Sequence, residues 1–264
     1  MKYNYLEKNI KSKKSFLCLG LDTDIDRIPK HLLKNDDPVF EFNKSMVDKL
    51  HSKIVAIKIN TAFYEVRGSK GWVSLERTIN YINSNYPELF TIADAKRADI
   101  GNTSKMYAKA FFQQMPFDSI TLSPYMGYDS VTEFLKYENK NVILLALTSN
   151  ESAKDFQLDN DLYLKVISES LKWKNSERIM YVVGATKSEF LLKIRDLAND
   201  SFLLIPGVGS QGGDFEDVIL NSTKSNNKIL INISRAIIYA SNDKNYLSSA
   251  EIVADSYNKR TYIK

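Results

Sequence analysis

The feature that most constrains the fold of this chain is a series of eight short apolar segments, each followed by a stretch with helical spacing. Segments that are continuously apolar or rich in β-branched residues are typical of buried strands. The eight predicted strands are Ser15 to Leu21, Ile54 to Ile59, Phe90 to Ala95, Ser119 to Leu122, Val142 to Leu147, Ile179 to Val183, Phe202 to Ile205 and Ile229 to Ile233. Two intervening helices are well marked, over Pro38 to Leu50 with Asp37 as its cap and over Gly71 to Asn83.

This alternation restricts the architecture to two candidates. Continuously apolar strands indicate a parallel sheet covered by helices, which both a doubly wound sheet and a barrel provide. Eight strand–helix units in 264 residues match the size of a (β/α)8 barrel, whereas a doubly wound domain usually stops at about five or six strands. We therefore predict an α/β fold, a (β/α)8 TIM barrel, as a single domain over residues 1–264 with a short N-terminal helix before the first strand.

The composition excludes several classes of function. A single cysteine, Cys18, and two isolated histidines, His31 and His51, provide neither a disulfide framework nor a zinc site, so no metal is expected. The sequence lacks a signal peptide and any apolar stretch of the ~20 residues that a membrane span needs, so we expect a cytoplasmic protein without membrane contact. The formal charge is +4, but acidic residues are interleaved with the lysines, which argues against a nucleic-acid partner.

Polar residues cluster where the predicted strands end, which is the edge at which TIM barrels carry their reactive groups. Strand alternation places Lys58 and Asn60 on one face of the second strand, and Asp94 and Lys96 on one face of the third. Charges embedded in apolar segments require partners, and these can supply them to each other. One reading is a structural ion pair; the alternating charges, with Asp99 three residues beyond Lys96, favour a functional site.

The end of the seventh strand carries a second candidate, the glycine-rich segment Pro206 to Gly213. Its G-x-G-x-x-G pattern is weak evidence for dinucleotide binding, because that fold places the turn after its first strand and an acidic residue about 20 positions later. In a barrel, the loops after strands seven and eight commonly bind phosphate, and Arg235 after strand eight is placed to clamp it. The alternative is a tight turn without a ligand.

The segment Asp94 to Thr103 resembles the D-x-K-x-x-D-I-x-x-T signature of the orotidine 5'-phosphate decarboxylases. Further blocks fit the second sequence type of that family in the same order: Leu19–Asp22, Lys58–Asn60 with Ala62–Glu65, Ser123–Gly127, Thr148–Asn150, Pro206–Gly213 and Ser234–Arg235. Mild departures are Ile59 where proline is common, Ala98 where glycine is common and Ile233 where serine is common. The resemblance implies decarboxylation of orotidine 5'-phosphate to uridine 5'-phosphate without a cofactor.

The resemblance also implies roles for individual residues. Lys58, Asp94, Lys96 and Asp99 would form the charged catalytic array, with Lys96 protonating C6 of the pyrimidine. The residues implied to bind substrate are Asp22 at a ribose hydroxyl, Ser149 at the pyrimidine, Gln211 and Arg235 at the phosphate, and in addition Asn60, Ile100, Thr103, Pro206, Gly212 and Ser234. In the family, Asp99, Ile100 and Thr103 reach the neighbouring subunit's site, which implies a homodimer. Two alternatives remain open, a Mg²⁺-dependent decarboxylase of a sugar-acid phosphate and a non-catalytic nucleotide-binding barrel.

Overall fold

The strands of the chain form a closed parallel barrel. The computed structural model describes residues 2–185, 188–207, 218–219 and 228–261. The strands follow one another around the barrel in sequence order, β1 to β8. Their bounds are Leu17–Gly20, Ala56–Asn60, Phe90–Arg97, Ser119–Leu122, Asn141–Leu147, Ile179–Val183, Leu203–Pro206 and Ile229–Ile233. The predicted (β/α)8 barrel is confirmed, and each predicted strand overlaps an observed one.

Helices connect the strands. The α-helices within the described ranges, here α1 to α10, are Lys2–Lys13, Pro38–Leu50, Ala62–Glu65, Gly68–Asn85, Gly101–Lys109, Tyr128–Leu135, Leu162–Ser170, Ser188–Leu197, Arg235–Ile238 and Tyr246–Thr261. Short 3₁₀ turns cover Ile25–Arg27, Lys30–Lys34, Glu151–Asp155, Asp159–Asp161 and Ser176–Arg178, and a π-helical turn covers Ala110–Gln114. In the part of the chain that the structure describes, none of the helices is both long and apolar enough to cross a membrane.

Helix α2 shows why the sequence signals at helix ends were reliable. Its bounds are the predicted ones, with Pro38 in the first turn, where its missing N–H costs nothing. The Asp37 side chain accepts a hydrogen bond from the Phe40 backbone N–H at 3.1 Å, as an N-cap does. Helix α4 is longer than predicted, because Gly68 begins it three residues before Gly71 and Asn85 ends it.

The chain divides into two compact units. The first comprises Met1–Ala95, Met115–Phe117 and Ile233–Lys264, and the second comprises Lys96–Gln114 and Asp118–Asn232. The core of the first unit includes Phe42, Met46 and Leu50 of α2, which are fully buried. In the second unit, β4 to β7 and their helices form a core that includes the fully buried residues Ile120 and Leu144. The assignment of the whole chain to one domain stays a prediction.

Register aligns the ends of β1, β2 and β3 in the first unit. Gly20 of β1 lies opposite Lys58 of β2, and Asn60 of β2 lies opposite Asp94 of β3. Residues two apart on a strand share a face, so Lys58 and Asp94 point to the same side of the sheet as diagonal neighbours. The register therefore brings together two charges that are 36 residues apart in sequence.

We predict that Gly71→Ala destabilises the protein. Gly71 lies in the first turns of α4, and a methyl group there would overlap the backbone carbonyl oxygen of Tyr64. Relief of such overpacking typically costs about 1–3 kcal/mol. Thermal unfolding followed by circular dichroism measures the effect. Ser69→Ala, at an exposed position of the same helix, is the control and should leave the midpoint nearly unchanged; equal midpoints for the two variants would contradict the close approach.

Candidate active site

A buried lysine between two carboxylates is the centre of the candidate site. The Lys58 Nζ lies 2.8 Å from Asp94 Oδ2 and 3.3 Å from Asp22 Oδ1. Only 4% of Lys58 and 9% of Asp94 are exposed, whereas Asp22 is half-buried. The structure thus brings together three of the predicted residues, from the ends of β1, β2 and β3. We call them the Asp22–Lys58–Asp94 cluster.

The electrostatics of the cluster hold Lys58 in its charged form. Burial by itself lowers the pKa of this ammonium group, but the carboxylates of Asp94 and Asp22 outweigh burial and raise the pKa above the ordinary lysine value. Lys58 therefore keeps its proton throughout the pH range in which proteins are stable. The cluster contains one cation and two carboxylates.

A buried chain of hydrogen bonds fixes the segment that carries Asp22. The Tyr64 hydroxyl donates to the Leu21 carbonyl oxygen at 3.2 Å and accepts from Asn43 Nδ2 at 2.9 Å. Asn43 Oδ1 in turn accepts from Thr23 Oγ1 at 2.7 Å. Thr23, Asn43 and Tyr64 have no exposed surface. The residues on both sides of Asp22 are thereby tied to α2 and α3.

Tyr239 holds the same segment from another element. Its hydroxyl donates to the Asp22 carbonyl oxygen at 3.1 Å and accepts from the Asp24 backbone N–H at 2.7 Å. Burial raises the pKa of Tyr239 to about 12, so the phenol remains a donor near neutral pH. The guanidinium of Arg27 lies 4.0 Å above the ring. The backbone of Asp22 therefore has little freedom to shift.

Asn60 lies two residues after Lys58 on the same face of β2. Its side chain makes a hydrogen bond of its own. Its side-chain oxygen accepts a hydrogen bond from the Ala62 backbone N–H at 3.2 Å. The neighbouring Thr61 N–H donates to the Asp94 carbonyl oxygen at 3.3 Å. These bonds fix the turn from β2 into α3 and leave the Asn60 amide nitrogen at a half-exposed position.

Lys96 has an unusual backbone conformation. Its φ is +47°, which is uncommon for a residue with a side chain, and its N–H donates to Thr121 Oγ1 at 2.9 Å. The regular alternation that we assumed for β3 does not extend through such a residue, so the direction of this side chain does not follow from the strand pattern. Lys96 is exposed. Strained backbone of this kind is concentrated at functional sites.

The segment that follows β3 presents the residues expected to reach a second subunit. Asp99 is half-exposed, and its Oδ1 accepts from the Ile100 backbone N–H at 2.7 Å. Ile100 is 55% exposed and precedes α5, in which Thr103 is also exposed. Ser104 anchors the start of this helix by hydrogen bonds to the carbonyl oxygens of Asp99 and Ser130. The three predicted residues Asp99, Ile100 and Thr103 thus lie half-exposed or exposed on the second unit, at the anchored start of α5.

Ser149 lies in the loop after β5 against a glycine that the sequence pattern did not single out. A Cβ at Gly184, the residue after β6, would lie 2.6 Å from the Ser149 nitrogen. Gln157 supports the same loop, because its Oε1 accepts from the Thr148 backbone N–H at 2.7 Å and its Nε2 donates to Thr148 Oγ1 at 2.9 Å. The position of Ser149 therefore depends on Gly184 and Gln157.

The predicted phosphate site is described only in part. Gln211 and Gly212 lie outside the described residues. Pro206 pairs with Asn232 across β7 and β8 and is half-buried. Arg235 is exposed at the first position of α9, and the preceding Ser234 has a buried Oγ without a hydrogen-bond partner among the described residues.

The surroundings of the cysteine and of the two histidines indicate that these residues have structural roles. Cys18 is fully buried in β1, where burial raises the pKa of its thiol to about 12 even though Lys58 acts in the opposite direction. His31 lies against Tyr246, with ring centroids 5.8 Å apart, and His51 stacks on Tyr86 at 4.5 Å. Within the described ranges, no three His, Cys, Asp or Glu residues are grouped as metal ligands would be.

The chain is similar to known proteins over nearly its whole length. Residues 15–249 match the family described as "Orotidine 5'-phosphate decarboxylase / HUMPS family". The orotidine 5'-phosphate decarboxylases of Flavobacterium johnsoniae and Christiangramia forsetii are both 56% identical, covering 93% and 95% of this chain and 91% and 94% of theirs. The solved structure of Leishmania donovani OMP decarboxylase superposes with a TM-score of 0.83 at 28% identity, covering 99% of both chains.

We predict that Lys58→Met destabilises the protein strongly. Removal of the ammonium group leaves Asp94 and Asp22 without their shared cation, and breaking a buried pair in this way costs about 3–5 kcal/mol. Urea unfolding measures the loss. Lys49→Met is the matched control: Lys49 pairs with Glu251 at 2.6 Å but its side chain is 35% exposed, so we expect a loss below about 1 kcal/mol. Equal losses for the two variants would show that the cluster is not a buried ion pair.

Proposed function

The chain belongs to the orotidine 5'-phosphate decarboxylase / HUMPS family and converts orotidine 5'-phosphate into uridine 5'-phosphate in pyrimidine synthesis; we propose that it does so without a cofactor, through the charged array Lys58, Asp94, Lys96 and Asp99. The observation that carries this proposal is the Lys58 cation held between Asp94 and Asp22 at 2.8 and 3.3 Å. Such a cluster provides fixed charge at the edge of a barrel where substrates bind.

The chemical problem is the electron pair that remains when CO₂ leaves. The bond between C6 and the carboxylate carbon breaks, CO₂ departs, and its bonding pair stays on C6 in the plane of the ring, where the pyrimidine cannot delocalise it. Enzymes lower barriers by up to about 23 kcal/mol for most reactions. Two unit charges 4 Å apart contribute only ~4 kcal/mol at an effective dielectric constant near 20. Charges near C6 must therefore act together with the energy of binding the rest of the substrate.

Lys58 and Lys96 differ in how well each can donate a proton to C6. The pKa of Lys58 is raised by its two carboxylates, which makes it a poor acid, and it is buried. Lys96 is exposed, so it can recover a proton from water after each turnover. We therefore assign the donation to Lys96 Nζ: the proton moves to C6, and the lysine is then recharged by solvent. Lys58 acts as a fixed positive charge.

The two carboxylates of the cluster give it a formal excess of one negative charge. A second cation offsets that excess, and Lys96 is only two residues from Asp94 in β3. We propose that Asp94 and the partner subunit's Asp99 keep Lys96 cationic until C6 accepts its proton. Asp94 also lies near the carboxylate that departs, and the loss of CO₂ removes the repulsion between them.

The rest of the substrate is assigned to residues on loops that follow the strands. Asp22 would accept a hydrogen bond from a ribose hydroxyl with its outer oxygen, with Asn60 beside it, and Ser149 would bind the pyrimidine. The phosphate would lie against Pro206, Gln211, Gly212, Ser234 and Arg235. The exposed guanidinium of Arg235 supports this assignment, as does the buried hydroxyl of Ser234, which has no hydrogen-bond partner among the described residues.

We propose a homodimer in which Asp99, Ile100 and Thr103 enter the partner's site. The exposure of three large apolar side chains of the second unit supports it: Ile100 is 55% exposed, Met106 is 49% exposed, and Tyr125 is 91% exposed. We also assign the protein to the cytoplasm, where its unpaired Cys18 stays reduced.

The proposal predicts that Lys96→Ala abolishes decarboxylation and retains binding of uridine 5'-phosphate. Its side chain is exposed, so its removal should leave the fold intact. The absorbance of orotidine 5'-phosphate measures turnover, and calorimetric titration measures product affinity. Turnover near that of the unchanged protein would remove Lys96 as the acid. The same assay in EDTA tests the metal-dependent alternative, which predicts loss of activity in chelator.

The shared site predicts that two inactive variants complement each other. Lys96→Ala and Asp99→Ala subunits, mixed in equal amounts and allowed to exchange, form hybrids in which one site has both wild-type residues. Random assortment makes half of the dimers hybrid, so activity should return to about a quarter of the wild-type value. Each variant alone is the control. A mixture as inactive as its components, with exchange verified by mass spectrometry, would place Asp99 outside the neighbouring site.

A further inference from the structure

A cavity of about 790 Å³ opens in the first unit, next to the segment that carries Asp22. Its walls are residues 26–28, 30 and 31 after β1 and residues 239–244 after α9. None of them is among the residues assigned to the decarboxylation site. Pockets that bind small molecules typically have volumes of about 300–1,000 Å³, so this cavity can accommodate a molecule as large as a nucleotide.

Three basic side chains line the cavity without an ionic partner. They are Arg27, Lys30 and Lys244, and in the part of the chain that the structure describes none of these three cations has a carboxylate within 4.0 Å. Some other lysines of the same unit are paired, for example Lys49 with Glu251 at 2.6 Å and Lys53 with Asp255 at 2.7 Å. The cavity therefore gathers cations that the protein does not neutralise itself.

The two carboxylates in the lining, Asp26 and Asp243, offset only part of the charge of these cations. Asp243 Oδ1 accepts from Ser241 Oγ at 2.8 Å and from the Asn245 backbone N–H at 2.7 Å. These bonds, that from Ser241 first, lower the pKa of Asp243, so its charge is stabilised within its own turn. Asp26 is exposed. An entering anion would meet three cations without an ionic partner and two carboxylates, a formal excess of one positive charge.

The geometry of Arg27 suits a phosphoryl group. Its guanidinium carbon lies 4.0 Å from the centre of the Tyr239 ring, within the range of a cation–π contact. The N–H groups at its edge can still donate two parallel hydrogen bonds to a phosphate. Tyr239 is itself fixed by its bonds to Asp22 and Asp24 at 3.1 and 2.7 Å, so the wall that supports Arg27 is rigid.

We infer that this cavity binds a small molecule bearing a diphosphate or triphosphate group, through Arg27, Lys30 and Lys244. Several phosphoryl charges match three cations better than a single phosphate does, and the volume leaves room for the rest of such a molecule. The side-chain amide of Asn242 can supply a neutral hydrogen bond. The ligand would be separated from Asp22 by one side chain, Tyr239.

Pyrophosphate is the probe that tests this inference. We expect calorimetric titration to show one equivalent bound to the full chain when uridine 5'-phosphate is already saturating. The triple variant Arg27→Gln, Lys30→Gln, Lys244→Gln should bind pyrophosphate at least about tenfold more weakly, because each substitution removes a charge-assisted hydrogen bond to the probe. A matched variant, Lys136→Gln, Lys154→Gln, Lys172→Gln, removes the same charge from exposed positions and should stay within about twofold.

Two results would overturn the inference. Equal loss of affinity in both triple variants would mean that pyrophosphate responds to net charge only. Displacement of pyrophosphate by uridine 5'-phosphate, or its loss in Arg235→Ala, would place it in the substrate's phosphate site. Binding of uridine 5'-phosphate is measured separately by calorimetric titration, so failure of the decarboxylase assignment is distinguishable: the product would not bind, while the two triple variants would still report on the cavity.

Discussion

The charge of Lys58 is the constraint on which the rest of the candidate site depends. A buried ammonium group is tolerated only with partners of opposite charge, and an isolated one would lose its proton. Here Asp94 and Asp22 satisfy it, and each carboxylate comes from a different strand end. The ion pair therefore sets the relative positions of the ends of β1, β2 and β3. Replacing it by apolar residues could give a stable barrel, but not one with fixed charge at this edge.

A fixed charge can stabilise a reaction only if the side chain that bears it does not move. In the first unit, hydrogen bonds hold the segment that contains Asp22 in place. Thr23, Asn43 and Tyr64 hold one side of the segment by buried hydrogen bonds, and Tyr239 bonds the backbone of Asp22 and Asp24 from another element. A site that stabilises a developing charge avoids the cost of reorienting its groups during the reaction. The network is the physical source of that preorganisation.

The sequence was sufficient for the barrel and for the charged residues, because both leave local signals. Alternation of apolar strands and helices predicted all eight strands to within a few residues, and Lys58 and Asp94 stood out as charges in apolar segments. The supporting residues left no such signal. Tyr239 is 217 residues from Asp22, so its role depends on a contact that periodicity cannot report. Gly184 matters only because a Cβ would overlap Ser149. The left-handed backbone of Lys96 likewise ended an alternation that the strand pattern alone would continue.

Lys58 and Lys96 lie in different surroundings, and these surroundings suit two different roles. One role is to stabilise negative charge on C6, and the other is to donate a proton to it. A cation that stabilises negative charge on C6 benefits from burial and from carboxylates that hold its proton, but the same carboxylates raise its pKa and make proton transfer less favourable. A proton donor instead needs access to solvent, from which it recovers its proton. Lys58, buried between two carboxylates, meets the first requirement, and exposed Lys96 meets the second. These two settings support the separate roles that we propose for Lys58 and Lys96.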